Sequence, residues 1–161
     1  MRLGAAAQPP LTLPWVIPAT ISFWMKIVRN RTGSVTIIAA ALEMPAAPDE
    51  FAVALYRRLG CATVVTLGAR GAIAAANGES FRAPAPSVDV VDSTGAGDAF
   101  VGALTAALDR GLSWRHALAS GIAAGSLACT APGAQAALAA SAAIAALASK
   151  VESELVSHPL D

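Results

Sequence analysis

Apolar positions change period several times along this chain, and each change marks an element. Residues 1–47 sustain no period, because prolines, tryptophans and scattered apolar residues follow one another without pattern, so no element is assigned there. From Pro48 the order sharpens. Phe51, Ala52, Leu55 and Leu59 recur at helical spacing behind Pro48, which suits a first helical position. Asp49 and Glu50 complement the positive end of that helix, Arg57 and Arg58 the negative end, and Gly60 supplies the stop. A short β-rich run, Ala62-Thr63-Val64-Val65-Thr66-Leu67, follows and closes at Gly68. Helix, stop, buried strand and glycine loop in that order predict a layered α/β domain with a mainly parallel sheet.

After Gly71, the runs Ala72–Ala76 and Glu79–Arg82 flank Asn77-Gly78, the strongest short-range signal for a hairpin. Pro84 and Pro86 stop further pairing, and Val88–Val91 reads as another strand. Phe100, Ala103, Leu104, Ala107 and Leu108 then form a helical stripe ending at Gly111. Ser113 is a cap for a following helix that carries Trp114, Leu118 and Ile122 inward. Thr130-Ala131-Pro132-Gly133 is a turn, a last alanine-rich helix is expected from Gln135 to Leu155, and residues 157–161 read as a frayed tail. Gly121 and Gly125 read as close helix packing in the core.

Composition narrows the function. The 161 residues are 55% apolar and 14% charged, enough to bury a core and too apolar for disorder. Eleven basic residues balance 11 acidic ones and never cluster beyond Arg57-Arg58, which argues against nucleic acid or an anionic membrane as partner. Cys61 and Cys129 lie far apart and read as buried thiols of a reducing, cytoplasmic compartment. His116 and His158 stand at no zinc-ligand spacing from a cysteine pair. Prolines 9, 10, 14 and 18 break the early apolar stretch, against a signal peptide, and Pro132-Gly133 interrupts the alanine-rich region, against a membrane span.

Candidate chemistry sits in one loop. Gly95-Ala96-Gly97 precedes a helix, where backbone N–H groups lack intrahelical partners and small side chains permit close approach, an arrangement suited to a phosphate. Asp98 places a carboxylate in that mouth. It suits a general base that takes a proton from an attacking hydroxyl while the amides stabilise the transferring phosphoryl group. The plainer reading is an acidic residue that merely complements the helix dipole. The loop is no Walker motif, since Lys26 and Lys150 are the only lysines, and neither the dinucleotide fingerprint nor a Gly-x-Ser-x-Gly elbow is present.

Asp92-Ser93-Thr94-Gly95-Ala96-Gly97-Asp98-Ala99-Phe100, followed by Gly102-Ala103-Leu104, closely resembles the C-terminal signature of the ribokinase-like (PfkB) carbohydrate kinases. Val64–Gly71 resembles the nucleotide loop of that family, and Thr130–Ala134 the turn on its adenine and cation side. The resemblance covers about residues 49–149 and implies a three-layer α/β/α fold. It implies ATP-dependent phosphorylation of a sugar or nucleoside hydroxyl, with Asp98 as base and Gly95, Ala96 and Gly97 as anion hole. Thr66, Gly68, Arg70 and Gly71 would line the ATP phosphates and ribose. Asp92 and Thr94 would help bind a potassium-like ion, K+, assisted by carbonyls near Ala128, Ala131 and Gly133.

Departures from the family pattern accompany the match. Nothing in the chain resembles the family's sugar pocket or its β-sheet lid, so the expected fold is truncated on its N-terminal side, with residues 48–156 as the nucleotide-binding part. Lys26–Thr32 faintly resembles the segment introducing the family's Asn-x-x-Glu motif, which positions Mg2+-bound phosphates, but Gly33 stands where Glu is expected. Asn30 is then either a relic of that contact or a coincidence. Ile122 stands where relatives often carry an Asn near the adenine. The resulting expectation is a sugar kinase by lineage, the alternative a weak or inactive nucleotide-binding remnant. An exposed apolar edge would favour self-association, as a homodimer for example.

Overall fold

The computed structural model describes residues 25–29, 47–133 and 139–160. Its sheet has five strands in chain order, β1 (Met25–Arg29), β2 (Ala62–Thr66), β3 (Ala72–Ala76), β4 (Glu79–Ala83) and β5 (Val156–Pro159). Four α-helices accompany it: α1 (Pro48–Leu59), α2 (Ala96–Asp109), α3 (Trp114–Ala128) and α4 (Ser141–Ser153).

Local signals explain most of these bounds. Pro48 opens α1, and Gly60 closes it at φ 63° with its N–H donating to the Tyr56 carbonyl. Asn77 and Gly78, at φ 52° and 77°, make the left-handed turn joining β3 to β4. Ser113 caps α3, its hydroxyl accepting from the His116 amide at 3.2 Å.

The strands alternate between two cores. Val64, Ala72, Ala74, Ala76 and Phe81 face α2, α3 and α4 and join Phe100, Leu104, Leu118, Ile122 and Val151 in the larger one. Val65 and Ile73 point the other way, onto Phe51, Ala52 and Leu55 of α1. Helix, sheet and helices therefore form three layers, and a period of two in β2 and β3 buries both faces. Thr63 ties the layers together, its buried hydroxyl donating to the Ala52 carbonyl at 2.7 Å. Gly121 and Gly125 let α3 lie against α2: a Cβ on Gly121 would sit 3.1 Å from Leu104 Cβ and from the Phe100 carbonyl oxygen.

Several expectations need correction. The α/β/α class holds, but only β1–β2 pairs in parallel, while β2–β3, β3–β4 and β4–β5 are antiparallel. The tight hairpin returns β4 antiparallel to β3, and β5 comes back antiparallel to β4 after α2, α3 and α4. A strand at Met25–Arg29 lies in the stretch that showed no period. The rest of 1–46, Asn30 included, falls outside the described residues. Val88–Val91 forms no strand. The chain leaves the sheet at Pro84, and the amides of Val91 and Asp92 donate to the Cys129 carbonyl at the end of α3. The last helix starts at Ser141, and residues 134–138 are outside the described set.

The tail is not frayed either. Val156–Pro159 covers the edge of β4, and the Leu160 amide donates to the Gly78 carbonyl at 2.7 Å. Arg115 fixes this strand by donating to the Leu155 carbonyl at 3.0 Å and to the Ser157 hydroxyl at 3.3 Å.

Candidate active site

The end of β2 with its following loop and the N-terminus of α2 enclose a cleft of about 640 Å³. One wall is the loop after β2, with Thr66, Gly68 and Gly71. The opposite wall is Ala96, Gly97 and Phe100 of α2 with Ile122, Gly125, Ser126 and Cys129 of α3 or its end, and Ala85–Val88 with Val90 close the side.

Glycine geometry shapes both walls. Gly68–Arg70 form a 3-10 turn held by the Gly71 amide on the Gly68 carbonyl, and the Gly71 carbonyl in turn accepts from the Leu67 amide at 2.7 Å. Gly71, at φ 87° and ψ −136°, passes so close to the Ala83–Ala85 backbone that a Cβ would lie 2.0 Å from the Ala83 carbonyl oxygen. Only glycine combines that conformation with that approach. Across the cleft, Gly95 takes φ 80° as the residue before α2, and the amides of Asp98 and Ala99 converge on its carbonyl at 2.9 Å. Ala96 donates to the Ser93 carbonyl at 3.3 Å. Among the described residues no carbonyl takes up the Gly97 amide, which belongs to the cleft wall. The partial positive charge of a helix N-terminus and that amide favour an anion.

Beside the cleft, Asp92 organises a second cluster. Its Oδ1 accepts from the Thr94 amide at 2.9 Å and the Thr94 hydroxyl at 2.7 Å, and its Oδ2 accepts from the Gly133 amide at 3.0 Å. The Thr94 hydroxyl first, then the Gly133 and Thr94 amides, hold the Asp92 carboxyl below the ordinary carboxylate range. Burial, and secondarily the Asp92 charge, push the Cys129 thiol up, against the thiolate.

Of the residues singled out in the sequence, Thr66, Gly68, Gly71, Ala96 and Gly97 meet in the cleft. Gly95 and Asp98 stand beside it at the start of α2, with Asp98 exposed, and Arg70 is exposed outside the lining. Asp92, Thr94 and Gly133 are joined by hydrogen bonds, with Ala131 two residues from Gly133 and Ala128 buried at the last turn of α3. Ala85–Val88, Val90, Phe100, Ser126 and Cys129 were not foreseen. The apolar residues after Pro84 and Pro86 were read as sheet partners, whereas Val88 and Val90 line the cleft.

Comparison with known proteins places this arrangement. The pfkB family carbohydrate kinases match over residues 39–141. The chain is 50% identical over 88 residues to the aminoimidazole riboside kinase of Salmonella typhimurium, covering 51% of this chain and 28% of that protein. The structure of aminoimidazole riboside kinase from Salmonella enterica, complexed with aminoimidazole riboside and an ATP analog, superposes with a TM-score of 0.59 at 34% identity, over 76% of this chain and 41% of the other. Arabidopsis thaliana ribokinase, complexed with ribose and ATP, superposes with a TM-score of 0.65 at 27% identity, over 77% of this chain and 40% of the other. The chain thus spans well under half the length of these relatives. With the family match extending across most of its described residues, the chain belongs to the pfkB family of carbohydrate kinases.

Proposed function

We propose that this chain provides the nucleotide side of an ATP-dependent phosphorylation of a sugar or sugar-like hydroxyl. The observation that carries the reading is the cleft itself, which gathers Thr66, Gly68 and Gly71 opposite the α2 N-terminus with no charged side chain among its described lining. Glycine backbone and a helix N-terminus suit a polyphosphate, and the volume suits a drug-sized ligand.

Bound here, ATP would supply the phosphoryl group, and Mg2+ accompanying it would offset its phosphate charge. Gly68 and Gly71, with Thr66 at the end of β2, hold the phosphates against Gly97. The Gly95–Gly97 loop stabilises charge on the transferring group by backbone dipoles that are already oriented. Asp98, in the first turn of α2, takes the proton from the acceptor hydroxyl, and Arg70 reaches the nucleotide from the rim of the loop. Asp92, fixed by Thr94 and Gly133, keeps its charge and with carbonyls at Ala128, Ala131 and Gly133 holds a monovalent cation beside the anion hole. Oxygen donors of this kind are the chemistry a hard cation takes. The proposed compartment is the cytoplasm, and among the described residues no helix is long and apolar enough to cross a membrane.

Release of ADP from Mg·ATP tests the reading, with ribose, aminoimidazole riboside and related sugars offered in turn. Asp98→Asn should lower any turnover by about 10²- to 10⁴-fold and leave the chain cooperatively folded. A folded variant with the parent's rate would remove Asp98 from the role of base. The second reading is a nucleotide-binding lobe without turnover. It predicts ATP binding with no sugar-dependent ADP release.

A further inference from the structure

On its α1 side the sheet is covered unevenly. That helix lies over β2 and β3, where Phe51, Ala52 and Leu55 meet Val65 and Ile73. Among the described residues no helix covers β4 and β5 on that side, and a groove of about 760 Å³ runs between α1 and these two strands. The cross-strand pairs Ser80–His158 and Arg82–Val156 lie in its floor, with Val156 53% exposed. The groove shares no lining residue with the cleft.

Its wall is one face of α1, carrying Asp49 and Glu50, then Val53 and Ala54, then Arg57 and Arg58. Two acids, two aliphatic residues and two arginines in that order complement themselves when the helix is reversed. A two-fold axis passing α1 between Val53 and Ala54 sets Glu50 against Arg57 of a second copy, and Arg57 against that copy's Glu50. The aliphatic pairs then meet at the centre. Asp49 is engaged by Arg82 of its own chain, so Glu50 and Arg57 carry the cross-contact. A helix about 10 Å across spans about two strands spaced about 4.8 Å apart. The second copy's α1 therefore covers β4 and β5 as α1 itself covers β2 and β3.

We propose that this groove is the interface of a two-fold symmetric homodimer, in which α1 of each copy seats in the groove of the other. The occupant is a second copy because the charge order of the face fits its own reverse, whereas a parallel arrangement would set like charges together. With charges at both ends and exposed to water, the contact weakens as salt is added.

Sedimentation equilibrium of the parent, of Glu50→Arg and of Arg57→Glu over a concentration series tests this, with thermal melts showing that each variant is folded. The parent should dimerise. Each variant alone sets like charges together at both ends and should dimerise at least about tenfold more weakly. An equimolar mixture of the two variants joins opposite charges at both ends and should dimerise about as well as the parent. Val156→Asp, on β5 and outside α1, should weaken the parent dimer about tenfold or more and gain nothing from mixing. A parent that stays monomeric overturns the proposal. Variants that associate as the parent does overturn it too, because the dimer then forms elsewhere, for example along a sheet edge. A mixture of the two folded charge variants that remains monomeric overturns the two-fold pairing of Glu50 with Arg57.

Discussion

Replacing Gly71 by alanine probes the loop on which the cleft depends. At φ 87° and ψ −136° the residue lies where a side chain costs on the order of 1–3 kcal/mol. The added Cβ would also fall 2.0 Å from the Ala83 carbonyl oxygen, 2.7 Å from Pro84 C and 2.8 Å from Ala85 N. All three are backbone atoms, so no flexible side chain can yield. Forcing the chains apart costs roughly another 1–3 kcal/mol or more, by analogy with overpacked cores. It also pulls on the Gly71 carbonyl that accepts from Leu67.

Gly68 is the natural control. It too has a left-handed φ of 61°, but a Cβ there meets nothing within 4 Å, so only the backbone cost of about 1–2 kcal/mol applies. Thermal melts of the two variants should differ by about 2 kcal/mol or more, roughly 8 °C for a domain of this size, with Gly71→Ala the less stable. Equal shifts would refute the close approach of the loop to the Ala83–Ala85 backbone.

Other substitutions read different parts of the fold. Thr63→Val should cost about 1 kcal/mol in chemical denaturation, because it removes the buried donor to the Ala52 carbonyl. Leu104→Ala, at a fully buried position between α2 and α3, should cost about 2–5 kcal/mol in the same assay. Asp92 titrates lower in the folded chain than in the unfolded one, so its contribution is complete above the unfolded carboxyl pKa near 4 and is lost as pH falls through the lower folded value. Asp92→Ala should therefore melt below the parent at pH 7, and the gap should close on acidification below about pH 4. A gap that persists unchanged at low pH would show that the Asp92 charge contributes nothing.

What the sequence disclosed was local. Pro48 and Gly60 bound α1, Asn77-Gly78 turns the hairpin and Ser113 caps α3, and each signal acts within a few residues. The places where reading failed depend on distant partners. Val88–Val91 has the composition of a strand, but its amides at Val91 and Asp92 find the Cys129 carbonyl some forty residues on. Val156–Pro159 has little strand character of its own and is ordered by β4 and by Arg115. The parallel expectation failed for a similar reason, since strand direction is set by connections that periodicity does not encode. At the site, the glycine loops were legible because close backbone approach demands that residue type. Ser126 and the apolar wall were not, since a serine on a helix acquires meaning only from the space it faces.

The most direct test of the central claim is a thermal melt of the chain with and without Mg·ATP in potassium buffer. Nucleotide at 100 times its dissociation constant stabilises a folded site by about 2.7 kcal/mol. The account predicts a cooperative transition that moves up by roughly 5–11 °C, with Mg2+ alone having no such effect. A transition that stays in place at millimolar Mg·ATP would mean that the cleft between Gly71 and Gly97 binds no nucleotide.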